Sequence, residues 1–250
     1  MPTENPPAIP VERFHTIDST SLEARRRLAA GTLNPPIALV AERQTGGVGR
    51  FKRPWESPIG GLWLTLAWPL GPNPAATLDG LGLRLGLAVA RAVERVVQGA
   101  APVALKWPND VLVGGRKAAG ILAEVVGDAA LIGVGVNADF ASSQLAPELQ
   151  PRATTLRDAT RRPIDLPSLE ADLLRHLAGA LRAEALDAPT LEAVRARLHG
   201  VGEPVSIRLP DGERRSGVFL GIGDDGRARL HIDGHDDAAP HGAELFIEPR

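Results

Sequence analysis

The chain has 250 residues, 44% of them apolar, and its 28 basic and 30 acidic side chains leave a net charge of −2. That is enough for one large domain or a main domain with a small companion; it argues against a general nucleic-acid binder, which needs a basic surface to displace counterions from phosphates. The lack of cysteine excludes disulfides, thiolate metal sites and cysteine nucleophiles, and without a signal-like start or an apolar run of about 18 residues a cytoplasmic location off the membrane is expected.

Residues 1–10 are proline-rich and polar and read as a flexible tail. Val11–Ile17 reads as a strand, Asp18-Ser19-Thr20-Ser21 offers helix-capping chemistry, and Leu22–Ala30 follows as a short helix ending at Gly31. Pro36–Glu42 is apolar enough for a buried strand, whereas Gln44–Pro58, with its glycines and basic residues, reads as loop. In Gly61–Trp68, Leu62, Leu64 and Leu66 alternate with Trp63, Thr65 and Ala67, a strand period. Helical spacing of Leu78, Leu81, Leu85, Val89, Val93 and Val96 predicts one long helix over Ala75–Gln98.

Four strand-like runs follow: Pro102–Lys106, Val111–Val113, Ala118–Val126 and Ala129–Val136. Tight turns at Gly114-Gly115 and Gly127-Asp128 make antiparallel neighbours of the last three. There is no strand–helix–strand alternation, so the class is α+β. Helices are expected at Ser168–Leu186 and Thr190–His199. After Val201, short strands at Pro204–Leu209, Arg215–Gly221, Ala228–Ile232 and Ala243–Ile247 predict a small β-barrel or sandwich. The expected division is a tail over 1–10, a main domain over 11–199 and a C-terminal β-domain over 200–250.

Three segments could carry chemistry. In Gln44–Pro58, Gly46, Gly47 and Gly49 let backbone approach a ligand closely, and Arg50, Lys52 and Arg53 add charge, which suits a phosphate or carboxylate, or else makes a solvated basic loop. The second segment runs from Leu105 to Glu124. It places Lys106, Asn109 and Asp110 around a turn at Pro108 and Lys117 at the start of the next strand. Of the 28 basic residues 25 are arginine, and the three lysines, Lys52, Lys106 and Lys117, are confined to positions 52–117. An ammonium is a compact point charge and a guanidinium a planar fork, so lysines kept against this bias mark positions to inspect. The third segment, Ile132–Asn137, has glycines within a strand, a mark of close approach by a ligand or another backbone, and Asn137 either binds a polar group or caps the strand. The spaced glycines of Gly221–Gly226 lie between two strands with no following helix and read as a hairpin turn. His231, His235 and His241 fit no familiar ligand spacing.

Taken together, Asp18-Ser19-Thr20-Ser21, the Gln44–Pro58 loop, Lys106-Trp107-Pro108-Asn109-Asp110, Arg116-Lys117-Ala118-Ala119-Gly120-Ile121-Leu122-Ala123-Glu124 and Gly133-Val134-Gly135-Val136-Asn137 resemble, in order and spacing, the biotin protein ligases. The resemblance covers about residues 11–250. It implies a mixed, mainly antiparallel sheet with helices packed on it, plus a small C-terminal SH3-like β-barrel. It also implies a two-step reaction: biotin and Mg-ATP give biotinyl-5′-adenylate and pyrophosphate, and a lysine of a biotin carboxyl carrier protein of an acyl-CoA carboxylase then takes the biotinyl group.

By this resemblance Ser19, Thr20, Ser21 and Gln44 bind the ureido end of biotin. The loop Gly47, Val48, Gly49, Arg50 and Arg53 with Trp55 folds over biotin and adenylate. Lys117 contacts the carboxylate or acyl-phosphate oxygens and, with Arg50, is catalytic. Lys106, Asn109, Asp110 and Asn137 serve ATP and magnesium, the metal arriving with ATP and no dedicated structural metal site being needed. Family members often pair through the central sheet, so a homodimer is an expectation; with only about ten residues before the first strand, a DNA-binding helix-turn-helix is not. Three positions depart from the family pattern: Ser21 for asparagine, Val48 for arginine and Lys52 for glycine. If Lys52 needs a positive φ, its side chain strains the loop. A lipoate or octanoate ligase, and a biotin-binding protein without turnover, are the competing readings.

Overall fold

The computed structural model describes residues 9–183, 185–240 and 242–247, so most of the expected tail and His241 lie outside the described residues. The first sheet combines β1 (Val11–Ile17), β2 (Ile37–Gln44), β3 (Leu62–Pro69), β4 (Val103–Lys106), β5 (Asp110–Val113), β6 (Arg116–Val126) and β7 (Ala129–Val136) in the order β1-β2-β3-β7-β6-β5-β4. Only β1 and β2 pair in parallel; the other neighbours are antiparallel. Helix α1 (Thr20–Ala29) connects β1 to β2.

The strand alternation in β3 separates the two faces of this sheet. Leu62, Leu64 and Leu66 join the main hydrophobic core. That core is built on α3 (Leu81–Val97), whose Leu85, Val89, Ala92 and Val93 are fully buried, and on α5 (Leu166–Arg182). Trp63, Thr65 and Ala67 face the other way, and this second face carries the site.

One long helix is expected over Ala75–Gln98, but the structure has two, α2 (Pro74–Leu78) and α3, separated at Asp79-Gly80. Gly80 has φ +56°, and a Cβ there would lie 2.6 Å from Cβ of Leu186, so a contact with a residue 106 positions away stops the helix. Helix α4 (Leu156–Thr160) is additional; at five residues it is too short to show a period, and the Thr155 hydroxyl caps it by accepting from the Asp158 amide at 3.0 Å. Helices α5 and α6 (Ala188–Arg195) end four residues earlier than expected.

The small C-terminal β-domain is a five-stranded antiparallel sheet of β8 (Pro204–Arg208), β9 (Arg214–Ile222), β10 (Ala228–Ile232), β11 (His235–Ala238) and β12 (Glu244–Ile247), in the order β11-β10-β9-β8-β12. Strand β11 has the composition of a loop, yet Asp233 at φ +51° and Gly234 turn the chain back onto β10. His231 meets the Asp236 carboxylate at 2.7 Å and His235 the Asp233 carbonyl at 3.0 Å. Val205, Ile207, Phe219, Leu230 and Leu245 belong to the same buried cluster as α3, so the small sheet is packed firmly on the larger unit. No described helix is long and apolar enough to cross a membrane.

Candidate functional site

The site is a cavity of about 630 Å³ on the second face of the large sheet, walled on one side by the C-terminal sheet. Its floor is bare backbone. Gly120 on β6 and Gly135 on β7 are cross-strand neighbours, and Gly133 lies opposite Leu122. A Cβ at Gly135 would sit 2.6 Å from Nε1 of Trp55, and one at Gly120 2.9 Å from its Cζ3. The indole therefore lies flat on the glycine pair, in a slot that any side chain would fill. In the same way a Cβ at Gly133 would come within 2.9 Å of the Ser21 hydroxyl.

One end of the cavity is polar and uncharged. Ser19 caps α1, its hydroxyl accepting from the Leu22 amide at 3.4 Å. The Thr20 amide and hydroxyl both donate to Oε1 of Gln44, at 2.9 and 3.1 Å. The hydroxyls of Thr20 and Ser21 each lie 2.9 Å from Oγ1 of Thr65, which is fully buried. Gln44 Nε2 donates to the Ser57 hydroxyl at 2.8 Å. Thr65 and Ser57 were missed in the sequence, although a threonine midway through the apolar run Leu62–Ala67 is a legible signal.

The loop after β2 is a hairpin. Isolated bridges Gln44–Ser57 and Val48–Pro54 hold its stem, the Trp55 amide donates to the Gly47 carbonyl at 2.8 Å, and a single turn over Arg50–Lys52 forms the tip. Val48 enters this pairing through its backbone, which does not depend on an arginine side chain. Gly47 does not line the cavity as expected. It packs inside the stem, where a Cβ would lie 2.4 Å from the Trp55 carbonyl oxygen, so its part is to let the hairpin close. Phe51 and Lys52 both have φ +57°, the left-handed region in which a non-glycine residue costs about 1–2 kcal/mol.

The other end is cationic: Arg50, Arg53, Lys106, Lys117, Arg152, Arg208 and Arg214 line it against Glu56, Asp110 and Glu244. Lys117 Nζ lies 2.6 Å from Oδ1 of Asp110 and 5.0 Å from the Trp55 ring. Arg50 donates to the carbonyls of Gly242 and Ala243 at 2.9 and 3.2 Å and to Oδ1 of Asn109 at 3.4 Å. Burial pushes its guanidinium pKa down; an arginine side chain is charged throughout the physiological range. Burial also pulls Lys106 below the ordinary lysine value of 10.5, outweighing the opposing charges of Asp110 and Glu244.

Asn109 is largely spent on structure. Its amide donates to the Ile121 carbonyl at 3.0 Å, and its own carbonyl accepts from the Ile121 amide at the same distance. Asn137 is buried; its Nδ2 donates to the Thr154 carbonyl at 3.1 Å, which leaves its side-chain oxygen available. Arg53 makes a bidentate ion pair with Glu244 at 2.5 and 2.7 Å, and Arg208 adds a third bond to that carboxylate at 2.7 Å. Burial raises the Glu244 pKa, but the hydrogen bond from Arg53 and the charges of Arg53, Arg208 and Arg50 outweigh it, leaving the group below the usual glutamate range. Of the residues given a binding or catalytic role by the resemblance, all but Gly47 face this one cavity, whereas Gly46 and Lys52 do not; Arg208, Arg214, Glu244 and Phe246 join them from a distant part of the chain.

The model of the biotin/lipoate A/B protein ligase family matches residues 14–139. The biotin–[acetyl-CoA-carboxylase] ligase of Mycobacterium tuberculosis is 35% identical over 221 residues, which cover 86% of this chain and 81% of that protein. The chain belongs to the biotin/lipoate A/B protein ligase family. A second ligase of this family, the biotin–[acetyl-CoA-carboxylase] ligase of Paracoccus denitrificans, is 36% identical over 243 residues, 92% of this chain and 97% of its own length. Among solved structures, the biotin protein ligase of Aquifex aeolicus in complex with biotin and ATP superposes with a TM-score of 0.84 at 27% identity, covering 96% of this chain and 99% of that one. The fold of this family member, both sheets included, is thus that of the biotin protein ligases.

Proposed function

We propose that this chain activates biotin with ATP as biotinyl-5′-adenylate and transfers the biotinyl group to a lysine of a biotin carboxyl carrier protein. One observation carries this reading: a single cavity joins an uncharged hydroxyl-and-amide end to a cationic end across a glycine floor covered by Trp55. A ligand with a neutral polar head, a compact ring and a carboxylate tail fits that sequence of environments. The head meets Thr20, Ser21 and Gln44, the first two braced from behind by the buried Thr65, the ring lies against the Trp55 indole, and the tail reaches Lys117 and Arg50.

The chemistry brings two anions together, the biotin carboxylate and the α-phosphate. A carboxylate oxygen attacks phosphorus, the bond to the β-phosphate oxygen breaks, and pyrophosphate leaves with the electron pair. Fixed positive charge lowers that barrier, and removing one such group typically costs about 10²–10³ in rate. Lys117 supplies the point charge, exchanging its Asp110 partner for ligand oxygens. Arg50 is held in place by two backbone carbonyls, so little reorganisation is needed as charge moves. The second step needs no enzyme nucleophile: the carrier lysine attacks the mixed anhydride and AMP departs.

Magnesium fits as a companion of ATP. Asp110, once released by Lys117, and the side-chain oxygen of Asn137 would offer oxygen donors of the kind that ion prefers, and when bound it would neutralise phosphate charge. A cytoplasmic location, a catalytic unit over 11–199 with its companion sheet, and pairing of two copies through the outer strands of the large sheet belong to the same reading. The apolar-chain alternative, lipoate or octanoate, gains nothing from the polar end.

The test is to incubate the protein with ATP, magnesium, biotin and a biotin carboxyl carrier domain. The carrier's mass should rise by one biotinyl group at a single lysine, with one AMP formed per transfer. A carrier left unmodified by biotin but acylated by octanoate would overturn the assignment.

A further inference from the structure

The hydrogen bonds at the uncharged end of the cavity have a direction that their partners fix. The Thr20 amide can only donate, so the Gln44 atom it meets at 2.9 Å is the side-chain carbonyl oxygen, Oε1. The Thr20 hydroxyl, 3.1 Å from the same oxygen, is therefore a donor there as well. With its hydrogen spent, it accepts at its 2.9 Å contact with Thr65, and Thr65 donates. Thr65 has then spent its own hydrogen, so at its 2.9 Å contact with Ser21 the Ser21 hydroxyl is the donor. The chain runs from Ser21 to Thr65 to Thr20 to Gln44, and this direction alone satisfies every contact.

The direction continues beyond Gln44. Nε2 donates to the Ser57 hydroxyl at 2.8 Å, and that hydroxyl donates to the Trp55 carbonyl at 3.2 Å. The second N–H on Nε2 is left over, and the Ser19 hydroxyl, which accepts from the Leu22 amide, keeps its hydrogen. Ser19, Thr20, Ser21 and Gln44 line the cavity, whereas the fully buried Thr65 and the buried Ser57 stand behind it. A ligand thus meets donors at Ser19 and Gln44, and lone pairs alone at Thr20 and Ser21.

We infer that Thr65 sets the ligand specificity of this end by withdrawing the Ser21 hydrogen. It is a positioning residue that acts through Ser21 without touching the ligand. A group facing Thr20 and Ser21 has to donate, and a group facing Ser19 and Gln44 has to accept. A cyclic urea meets both demands, with N–H beside a carbonyl. A cyclic carbamate, in which ring oxygen replaces one N–H, sets lone pair against lone pair. The inference rests on the biotin reading above and names the polarity by which that ligand is chosen.

The experiment measures binding by calorimetry for wild type, T65V, T65S, S21A and S21A/T65V, with circular dichroism to confirm folding. The ligands are biotin and two carbamate analogues, in which one or the other ring N–H is replaced by oxygen. Wild type should bind one of the two analogues at least about a hundredfold more weakly than biotin, because a site built around an N–H rejects its replacement. In T65V the Ser21 hydroxyl regains its hydrogen and can turn it towards the ring oxygen. Biotin affinity should then fall about tenfold and the biotin-to-carbamate ratio drop to about tenfold or less. T65S keeps the hydroxyl and should keep the ratio. S21A should lower the ratio as T65V does, and T65V should add nothing to it, since both act on one group.

A wild type that binds biotin and both carbamates alike would overturn the inference and leave the functional reading standing. A T65V variant that weakens biotin and carbamate equally would also overturn it, making Thr65 a packing residue. If T65V does not fold, S21A decides: a ratio equal to that of wild type contradicts the inference, and a collapsed ratio supports it. A wild type that binds no biotin would remove the functional reading and the inference together.

Discussion

The glycine floor makes a quantitative prediction. In Gly135→Ala the new methyl would lie 2.6 Å from Nε1, 2.7 Å from Cε2 and 2.9 Å from Cζ2 of Trp55. Ordinary contact begins at 3.4 Å, so the indole must retreat by about 0.8 Å. Backbone on β6 and β7 cannot yield without breaking the Gly120–Gly135 pairing, so the movement falls on Trp55 and the hairpin stem behind it. Overpacking of this kind costs about 1–3 kcal/mol, and a shift near 1 Å at a positioning group can cost about 10²-fold in rate.

A double-mutant cycle isolates the contact. G135A should lower unfolding stability by that amount in wild type, measured by denaturant titration, and weaken biotin binding by calorimetry. In the W55A background it should cost almost nothing, because the clashing ring is gone. An equal cost in both backgrounds, or a G135A variant that binds and turns over like wild type, would refute the slot.

Other consequences follow from the two ends of the cavity. Lys117→Ala should slow adenylate formation by about 10²–10³; near-normal turnover would remove Lys117 from the chemistry. Thr65→Val deletes the hydroxyl shared by Thr20 and Ser21 and should weaken biotin binding by about 1–3 kcal/mol, with the Michaelis constant for ATP unchanged; equal losses for both ligands would contradict the division of the cavity. Lys106 must be protonated to attract phosphate, and burial lowers its pKa. The protonated fraction therefore falls as pH rises through a value below 10.5, and kcat/KM for ATP should decline on the alkaline side below that point. In K106R the decline should move to higher pH; a profile identical to wild type would assign that limb elsewhere.

Much of the site was legible in the sequence because its ligand-facing residues lie in short segments around turns, where side-chain type and backbone need coincide. The three lysines show the limits of that signal. Lys106 and Lys117 line the cavity, whereas Lys52 occupies a left-handed position at the hairpin tip, where its backbone rather than its ammonium is the notable feature. Gly47 also looked like a ligand contact, and only the packing of Trp55 and Ser57 against it shows a glycine kept for hairpin closure.

The C-terminal contribution was not legible. Glu244, Arg208 and Arg214 read as ordinary surface charges on short strands, and only the register of β12, β8 and β9 aligns them and aims them at a cavity built by residues 19–153. Similarly, the apolar spacing through Leu78, Leu81 and Leu85 continues across the break at Gly80, because what ends the helix there is a contact with Leu186 rather than a local preference.

The central claim is that this cavity joins biotin to the α-phosphate of ATP. Exchange of labelled pyrophosphate into ATP, run with biotin, lipoate and octanoate in parallel, tests it most directly. The account predicts exchange that requires biotin, with lipoate and octanoate at background. Biotin binding without exchange would contradict it and make the protein a binder; exchange driven by octanoate or lipoate instead would place the polar end of the cavity on the wrong ligand.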